Sequence, residues 1–208
     1  CYSTRGDGRP PIIVFGGGIE GGETCIPGDV SSQFVSGLLF AAPMARNDVE
    51  IEMLTPLESK PYVEITIDVL CSHGIQVEVN SEYKRFRVPC GQTYTPSSHV
   101  VEGDYSSAAF LLAAASITDS KIRVTNLRED SLQGDRIIVD LLRKIGVEVK
   151  TGKNFVEVNG RDGSLQPFNV DLRDNPDLVP VCTALAFFAR GESLIRGIRR
   201  LRFKESDR

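Results

Sequence analysis

The sequences GDVSS at residues 28–32 and GDYSS at residues 103–107 decide the fold, because they are two copies of one helix start. Each copy precedes an apolar run of helical character, and a third such run follows the dipeptide PD at residues 176–177. The shared aspartates are separated by 75 and 73 residues. A fixed period in a sequence predicts a repeated structural unit. The predicted helices at these starts are residues 34–42, 108–116 and 178–189.

The second half of the unit is repeated as well. Residues 62–73 form a predicted helix that ends at Gly74 and leads into an alternating strand. Residues 135–145 carry an apolar stripe and end in the same way at Gly146. Glycine just past a helix is a usual stop signal, because it readily adopts the left-handed conformation found there. The other predicted strands are residues 49–53, 75–79, 85–88, 122–124, 147–149 and 193–195.

Each unit is therefore predicted to run strand, helix, strand, helix, strand, strand. Such alternation predicts an α/β or α+β protein whose sheets are backed by helices. The helix at residues 62–73 has the weakest support, because residues such as Val63 and Ile65 are β-branched. The polar stretch at residues 91–99 predicts a boundary near residue 100, which divides the chain into residues 1–100 and 101–208.

The composition narrows the class of protein. The net charge of −4 and the pI near 5.3 argue against a nucleic-acid-binding protein, which usually has a basic face. The apolar runs are too short to span a bilayer. Five cysteines without a Cys-x-x-Cys pair, beside two histidines, argue against a zinc site and favour the reducing cytoplasm. Neither end resembles a natural terminus, so we expect a piece of a longer protein.

Two polar clusters are candidates for a binding site. Ser31, Ser32 and Gln33 stand at a helix start, where free N–H groups and the positive end of the helix dipole attract anions. The simpler interpretation is that Ser31 or Asp29 caps the helix. Residue chemistry alone likewise favours Asp177 as a helix cap.

The second cluster closes the chain. Lys204 follows Asp177 by 27 residues, and Lys204 and Arg208 would share one face of a helix, with Glu205 turned away. These cations suit a phosphorylated ligand, and a carboxylate beside them can transfer a proton. A surface ion pair between Glu205 and Arg208 is the ordinary alternative.

The glycine-rich segment GGGIEG at residues 16–21 matches the dinucleotide-binding pattern, but that pattern must open into a helix. Residues 22–27 do not suit a helix, so a hairpin between two strands is the better interpretation.

In combination, several of these segments resemble the EPSP synthase family, the 3-phosphoshikimate 1-carboxyvinyltransferases. The sequence resembles archaeal members of this family. The resemblance covers essentially the whole chain. It is carried by GDVSSQF at residues 28–34, SKPY at 59–62, VEGDYSS at 101–107 and KESDR at 204–208.

The resemblance implies a two-lobed enolpyruvyl transferase fold, an inside-out α/β barrel in which each lobe holds three copies of the unit. Residues 1–100 would be the C-terminal part of the first lobe, and residues 101–208 the N-terminal part of the second. The isolated piece should be inactive, whereas the full-length protein should be a monomer that contacts neither membrane nor nucleic acid.

The implied reaction transfers the enolpyruvyl group of phosphoenolpyruvate to the 5-hydroxyl of shikimate 3-phosphate and releases phosphate, without metal or cofactor. The resemblance assigns catalysis to Asp177 and Glu205, and it allows Tyr62 to pack against the substrate ring. It assigns substrate binding to Ser31, Ser32, Gln33, Ser59, Asp177, Lys204 and Arg208.

One position departs from the family pattern, because Arg200 stands where many members have an asparagine that contacts the substrate. Two other functions remain to be weighed. A UDP-N-acetylglucosamine enolpyruvyl transferase shares the fold but lacks the combination of SSQF and KESDR. A non-catalytic repeat scaffold would give no reason for polar residues at Ser31, Gln33 and Asp177.

Overall fold

The computed structural model describes residues 1–118, 120–160 and 164–203. The helices are α1 (Ser32–Ala41), α2 (Lys60–Ser72), α3 (Tyr105–Ile117), α4 (Ile137–Lys144) and α5 (Val179–Phe188). The strands are β1 (Tyr2–Ser3), β2 (Ile12–Ile13), β3 (Gly22–Ile26), β4 (Val49–Met53), β5 (Glu78–Val79), β6 (Arg85–Val88), β7 (Lys121–Thr125), β8 (Glu148–Gly152), β9 (Phe155–Asn159), β10 (Asn169–Asp171) and β11 (Leu194–Arg196).

The sheets follow the sequence repeat. The first full unit is β3-α1-β4-α2-β5-β6, and its strands lie in the order β3-β4-β6-β5. The second unit has the order β7-β9-β8, which matches β4-β6-β5 strand for strand. Strands β10 and β11 flank α5 and pair in parallel, as β3 and β4 do around α1. The predicted mixed α/β repeat is therefore confirmed.

The second unit departs from the prediction at its start. Strand β3 precedes α1, but residues 89–104, which precede α3, contain no strand. The sheets are separate, with two to four strands each, and within the described part of the chain none closes into a barrel.

Two helices end in the same glycine turn. Gly74 and Gly146 both have positive φ angles, 81° and 94°, which a side chain would disfavour. In each case the next residue bonds back to the residue five positions earlier, Ile75 N–H to Leu70 O and Val147 N–H to Leu142 O, both within 3.0 Å. This is the Schellman pattern that the sequence predicts.

Helix α2 forms despite its β-branched residues. Pro61 stands in its first turn, where the missing N–H costs nothing, and Val63, Thr66 and Leu70 are buried on one face. Tertiary packing of that face outweighs the strand preference of the individual residues. The least supported helix of the sequence analysis is thus confirmed.

Three smaller predictions need correction. The predicted strand at 75–79 shrinks to β5, because Ile75 is used to terminate α2. Residues 16–21 do lead into strand β3 and not into a helix, but they form no hairpin, since β2 pairs with β1 and β3 with β4. In the stripe of α4, Ile138, Leu141 and Leu142 are buried, whereas Ile137 is 36% exposed.

The apolar side chains form two separate cores. The N-terminal core joins α1, α2 and the sheet of β3 to β6, with Leu39, Leu70 and Phe86 fully buried. The C-terminal core joins α3, α4 and α5 to the sheet of β7 to β9, with Leu112 and Leu142 at its centre. Among the described residues, no helix combines the length and apolar character needed to cross a membrane.

We predict that Leu142→Ala lowers the free energy of unfolding by about 2–5 kcal/mol, because it leaves a cavity in the C-terminal core. Leu132→Ala is the matched control, since Leu132 is 47% exposed, and it should change stability by less than about 0.5 kcal/mol. Urea denaturation of both variants in the full-length protein measures the difference. Equal losses would contradict the assigned core.

Candidate active site

A cleft of about 590 Å³ lies where the starts of α1 and α2 meet the turn before α5. Its walls bring together residues that are far apart in sequence. The lining residues are Val30, Ser31, Ser32, Gln33, Ser36, Gly37, Phe40, Ser59, Tyr62, Ile65, Thr66, Pro176, Asp177 and Arg200. The cleft therefore contains every predicted site residue that the structure describes. Lys204, Glu205 and Arg208 lie outside the described residues.

The start of α1 combines a helix cap with exposed polar groups. The Ser31 hydroxyl accepts a hydrogen bond from the Gln33 N–H at 3.2 Å, so the capping interpretation of Ser31 is correct. Asp29 is not the cap, because its carboxylate accepts a bond from the Thr55 hydroxyl at 2.7 Å. Ser32 is buried at the wall of the cleft, and Gln33 is exposed.

Asp177 is not a helix cap, contrary to what residue chemistry alone favours. It lies inside a 3₁₀ turn, Pro176–Leu178, which Asn175 precedes and which continues into α5. Pro176 suits the first position of such a turn because its φ is already fixed. Asp177 is thus the second residue of the turn, two positions after its N-cap Asn175, and it lines the cleft.

Ser59 has an unusual backbone and is almost fully buried. Its φ of 57° is in the left-handed region, which a non-glycine residue enters at a cost of about 1–2 kcal/mol. Its side chain does not cap α2. Instead the Ser59 N–H donates to Asp174 Oδ1 at 2.7 Å, and its hydroxyl accepts from Arg200 Nη2 at 2.6 Å. Two long-range contacts thus hold a strained residue at the cleft.

Arg200 has only 7% of its surface exposed. Its Nε lies 3.3 Å from Glu58 Oε2, so the guanidinium has a charge partner. Burial raises the pKa of the Glu58 carboxyl, and the nearby Arg200 partly offsets that rise. We call Glu58, Ser59, Asp174 and Arg200 the clasp. It connects the two cores, because Leu57 packs in the N-terminal core and Leu201 in the C-terminal core.

A second polar network lies beside Asp177. The Asp135 carboxylate is 1% exposed and accepts bonds from the Ser106 hydroxyl at 2.6 Å and from Asn175 Nδ2 at 3.1 Å. Burial raises the pKa of Asp135, and these two hydrogen bonds oppose the rise. Burial also raises the pKa of the Tyr62 hydroxyl to about 12, so this group is neutral at pH 7.

The sequence analysis missed these supporting groups. Asp135 had the signature of an ordinary helix start, and Asp174 that of a turn residue. Arg200 was noted only as a departure from a family pattern. Within the described ranges, no three groups of His, Cys, Asp or Glu are arranged to bind a metal ion.

The fold is shared with solved enolpyruvyl transferases. The chain superimposes on EPSP synthase from Acinetobacter baumannii with a TM-score of 0.73 and 21% identity, over 99% of this chain and 47% of that one. It also superimposes on the enolpyruvyl transferase NikO from Streptomyces tendae with a TM-score of 0.58 and 18% identity, over 77% and 39%. These similarities define an enolpyruvyl transferase fold, of which the chain covers a part.

The family profile of EPSP synthase (3-phosphoshikimate 1-carboxyvinyltransferase) matches residues 1–208, and the chain belongs to this family. It is 42% identical to the 3-phosphoshikimate 1-carboxyvinyltransferase of Methanosphaera stadtmanae, over 99% of this chain and 49% of that protein. It is 43% identical to the enzyme of the same name from Pasteurella multocida, over 97% and 45%. The chain thus spans about half the length of these curated relatives.

We predict different stability losses for two substitutions of Ser59. Ser59→Ala should cost about 1–3 kcal/mol, because the buried Arg200 loses an acceptor. Ser59→Gly loses the same bond but relieves the left-handed strain, so it should be more stable than Ser59→Ala by up to about 1 kcal/mol. Urea denaturation measures both, with Ser81→Ala at an exposed turn as control. A Ser59→Gly variant that is less stable than Ser59→Ala would contradict backbone strain at Ser59.

We predict that Asp135→Asn changes the pH dependence of stability. The folded pKa of Asp135 lies above its unfolded value near 3.8, so the folded state binds the proton more tightly. Stability contributed by this group is therefore lost as pH rises above about 4. The free energy of unfolding of the variant should rise relative to wild type between pH 4 and 7. Parallel curves for the variant and the wild type would contradict the buried carboxylate.

Proposed function

We propose that the protein containing this chain transfers the enolpyruvyl group of phosphoenolpyruvate to the 5-hydroxyl of shikimate 3-phosphate and releases phosphate. One observation carries the proposal: the cleft joins the SSQ helix start, Ser59 and Asp177, which the family resemblance assigns to the substrates. Family membership over the full chain supports it. The names of the relatives give the same activity.

The residues have separable roles in this proposal. Ser31, Ser32 and Gln33 bind shikimate 3-phosphate through hydroxyl and amide groups at the positive end of α1. Ser59 binds its phosphate. Lys204 binds shikimate 3-phosphate near the reacting carbon.

Arg208 binds phosphoenolpyruvate, because a planar guanidinium suits carboxylate or phosphate oxygens.

The proposed reaction is an addition followed by an elimination. The addition needs one proton removed from the 5-hydroxyl and one added to the methylene carbon, and the elimination removes a methyl proton. Asp177 accepts the proton of the 5-hydroxyl as its oxygen bonds to C2 of phosphoenolpyruvate, and Glu205 protonates the methylene carbon. The tetrahedral intermediate then returns a methyl proton to the Glu205 carboxylate as the bond from C2 to the phosphate oxygen breaks, which restores the double bond and releases phosphate. A neutral Tyr62 hydroxyl can donate a hydrogen bond to a substrate without adding charge.

We further propose a division into residues 1–100 and 101–208, which form parts of two lobes. The two separate cores and the clasp between them support this boundary. We expect a cytoplasmic monomer, and the five free thiols, all within the described residues, are consistent with a reducing compartment. The same cleft argues against a scaffold, since scaffolding gives no reason for Asp177 and Ser59 to converge.

We predict that the full-length protein releases inorganic phosphate only when both shikimate 3-phosphate and phosphoenolpyruvate are present. Asp177→Asn should lower the rate about 10²- to 10⁴-fold with little loss of stability, because it removes the base and keeps the shape. Asp140→Asn, an exposed change of the same kind, is the control.

The assay distinguishes the alternatives. Phosphate release with UDP-N-acetylglucosamine as acceptor would identify the other enolpyruvyl transferase. A folded full-length protein that releases no phosphate with either acceptor would leave the scaffold as the remaining interpretation.

A further inference from the structure

We propose that Arg200, together with Ser59, selects the phosphorylated form of the acceptor substrate by binding its phosphate group. This inference rests on the proposed function and extends it to a residue at which the chain departs from the family pattern. It makes Arg200 a specificity-determining residue of the cleft. The argument uses the donors of the clasp, the conformation of Ser59 and the balance of charge.

The guanidinium has a donor that lacks an acceptor. Nε faces Glu58 and Nη2 donates to the Ser59 hydroxyl, whereas Nη1 is buried without a hydrogen-bond partner among the described residues. A buried donor without a partner costs about 1–3 kcal/mol. Because Arg200 lines the cleft, we infer that a bound ligand supplies the missing acceptor for Nη1.

The Ser59 hydroxyl has a donor for the same ligand. A guanidinium only donates hydrogen bonds, so Ser59 Oγ is the acceptor in its bond with Arg200. Its own hydrogen remains for an acceptor in the cleft. An oxygen that accepts this hydrogen lies within about 5 Å of Nη2, because two hydrogen bonds meet at one oxygen. The Arg200 charge therefore acts on any anion that Ser59 binds.

The backbone at Ser59 supports an anion rather than a neutral group. Ser59 precedes a helix of 13 residues and leaves its side chain out of the cap, so the positive end of α2 faces the same region. Strained non-glycine residues at a cleft are a recognised sign of function, because the surrounding contacts must maintain them. Here Asp174 and Arg200 supply those contacts.

The charge balance also favours a ligand with more than one negative charge. Glu58 and Asp174 both lie in the clasp, so Arg200 is partly neutralised before a ligand arrives. A singly charged group gains little there, whereas a phosphate dianion presents several oxygens to Nη1, Nη2 and the Ser59 hydroxyl at once. Both proposed substrates carry a phosphate, and shikimate 3-phosphate is the one that the proposed function places at Ser59, whereas phosphoenolpyruvate is placed at Arg208.

The test compares the dissociation constants of shikimate 3-phosphate and unphosphorylated shikimate for the full-length protein by calorimetry. Arg200→Gln keeps the polar stem but removes the charge and both terminal nitrogens, and it should lower the preference for the phosphorylated form at least about tenfold. Arg200→Lys keeps the charge without the planar fork, and its preference should be intermediate. Arg199→Gln, at the exposed neighbouring arginine, is the matched control and should resemble wild type.

A purely structural role predicts a different result. If Arg200 only connects the cores, Arg200→Gln will weaken both ligands alike or lower kcat, and the preference for the phosphate will remain. That result overturns the inference. If Arg200→Gln does not fold, an unchanged preference in Arg200→Lys overturns it instead. Wild-type protein that binds neither ligand overturns the proposed function itself. A KM increase for shikimate 3-phosphate with an unchanged KM for phosphoenolpyruvate supports the inference.

Discussion

The hydrogen bonds of Ser59 to Asp174 and Arg200 are the constraint on which the cleft depends. The partners are 115 and 141 residues away in sequence, and they belong to the segment that packs with the C-terminal core. Pro61 at the start of α2 also packs beside Gly134 of the C-terminal half, and the Ser59 bonds fix this end of α2 against the turn before α5. Together these long-range contacts bring Ser31 and Asp177 to one cleft.

The site arises where copies of the repeat differ. At the first helix start, Ser31 is the cap and its neighbours face the cleft. At the second, Asp104 caps α3 by accepting bonds from two N–H groups, which leaves the Ser106 hydroxyl to bind Asp135. At the third, a proline displaces Asp177 from the cap. One structural unit thus gives a capped helix start at the cleft, a supporting polar network and a carboxylate that lines the cleft.

The repeat, the helices and most strands could be predicted because they depend on local sequence. Gly74 and Gly146 end their helices through bonds within five residues, and the alternation in β4 and β6 is visible residue by residue. The left-handed φ of Ser59 could not be predicted in the same way. It exists only because distant partners stabilise it, and a single sequence contains no record of such pairing.

The same limit explains the error at Asp177 and the omission of Asp135. An aspartate before an apolar run has the local signature of a cap, and the local rule is correct at Asp104. Two residues before Asp177, the Asn175 side chain donates a hydrogen bond to the buried Asp135, and this bond holds the turn in place. The turn that carries Asp177 is therefore held through Asn175 by a carboxylate 42 residues before Asp177 in the sequence.

This arrangement also resolves a conflict of charge. The proposed substrates are anionic and the chain is acidic, so the proposed site must keep its own carboxylates from repelling the ligand. Asp135 is withdrawn into the interior, where burial raises its pKa, and Glu58 is paired with Arg200. Tyr62 contributes a neutral hydroxyl in place of a further charge. Of the described carboxylates near the cleft, Asp177 is the one that lines it, which is what a base for a substrate hydroxyl requires.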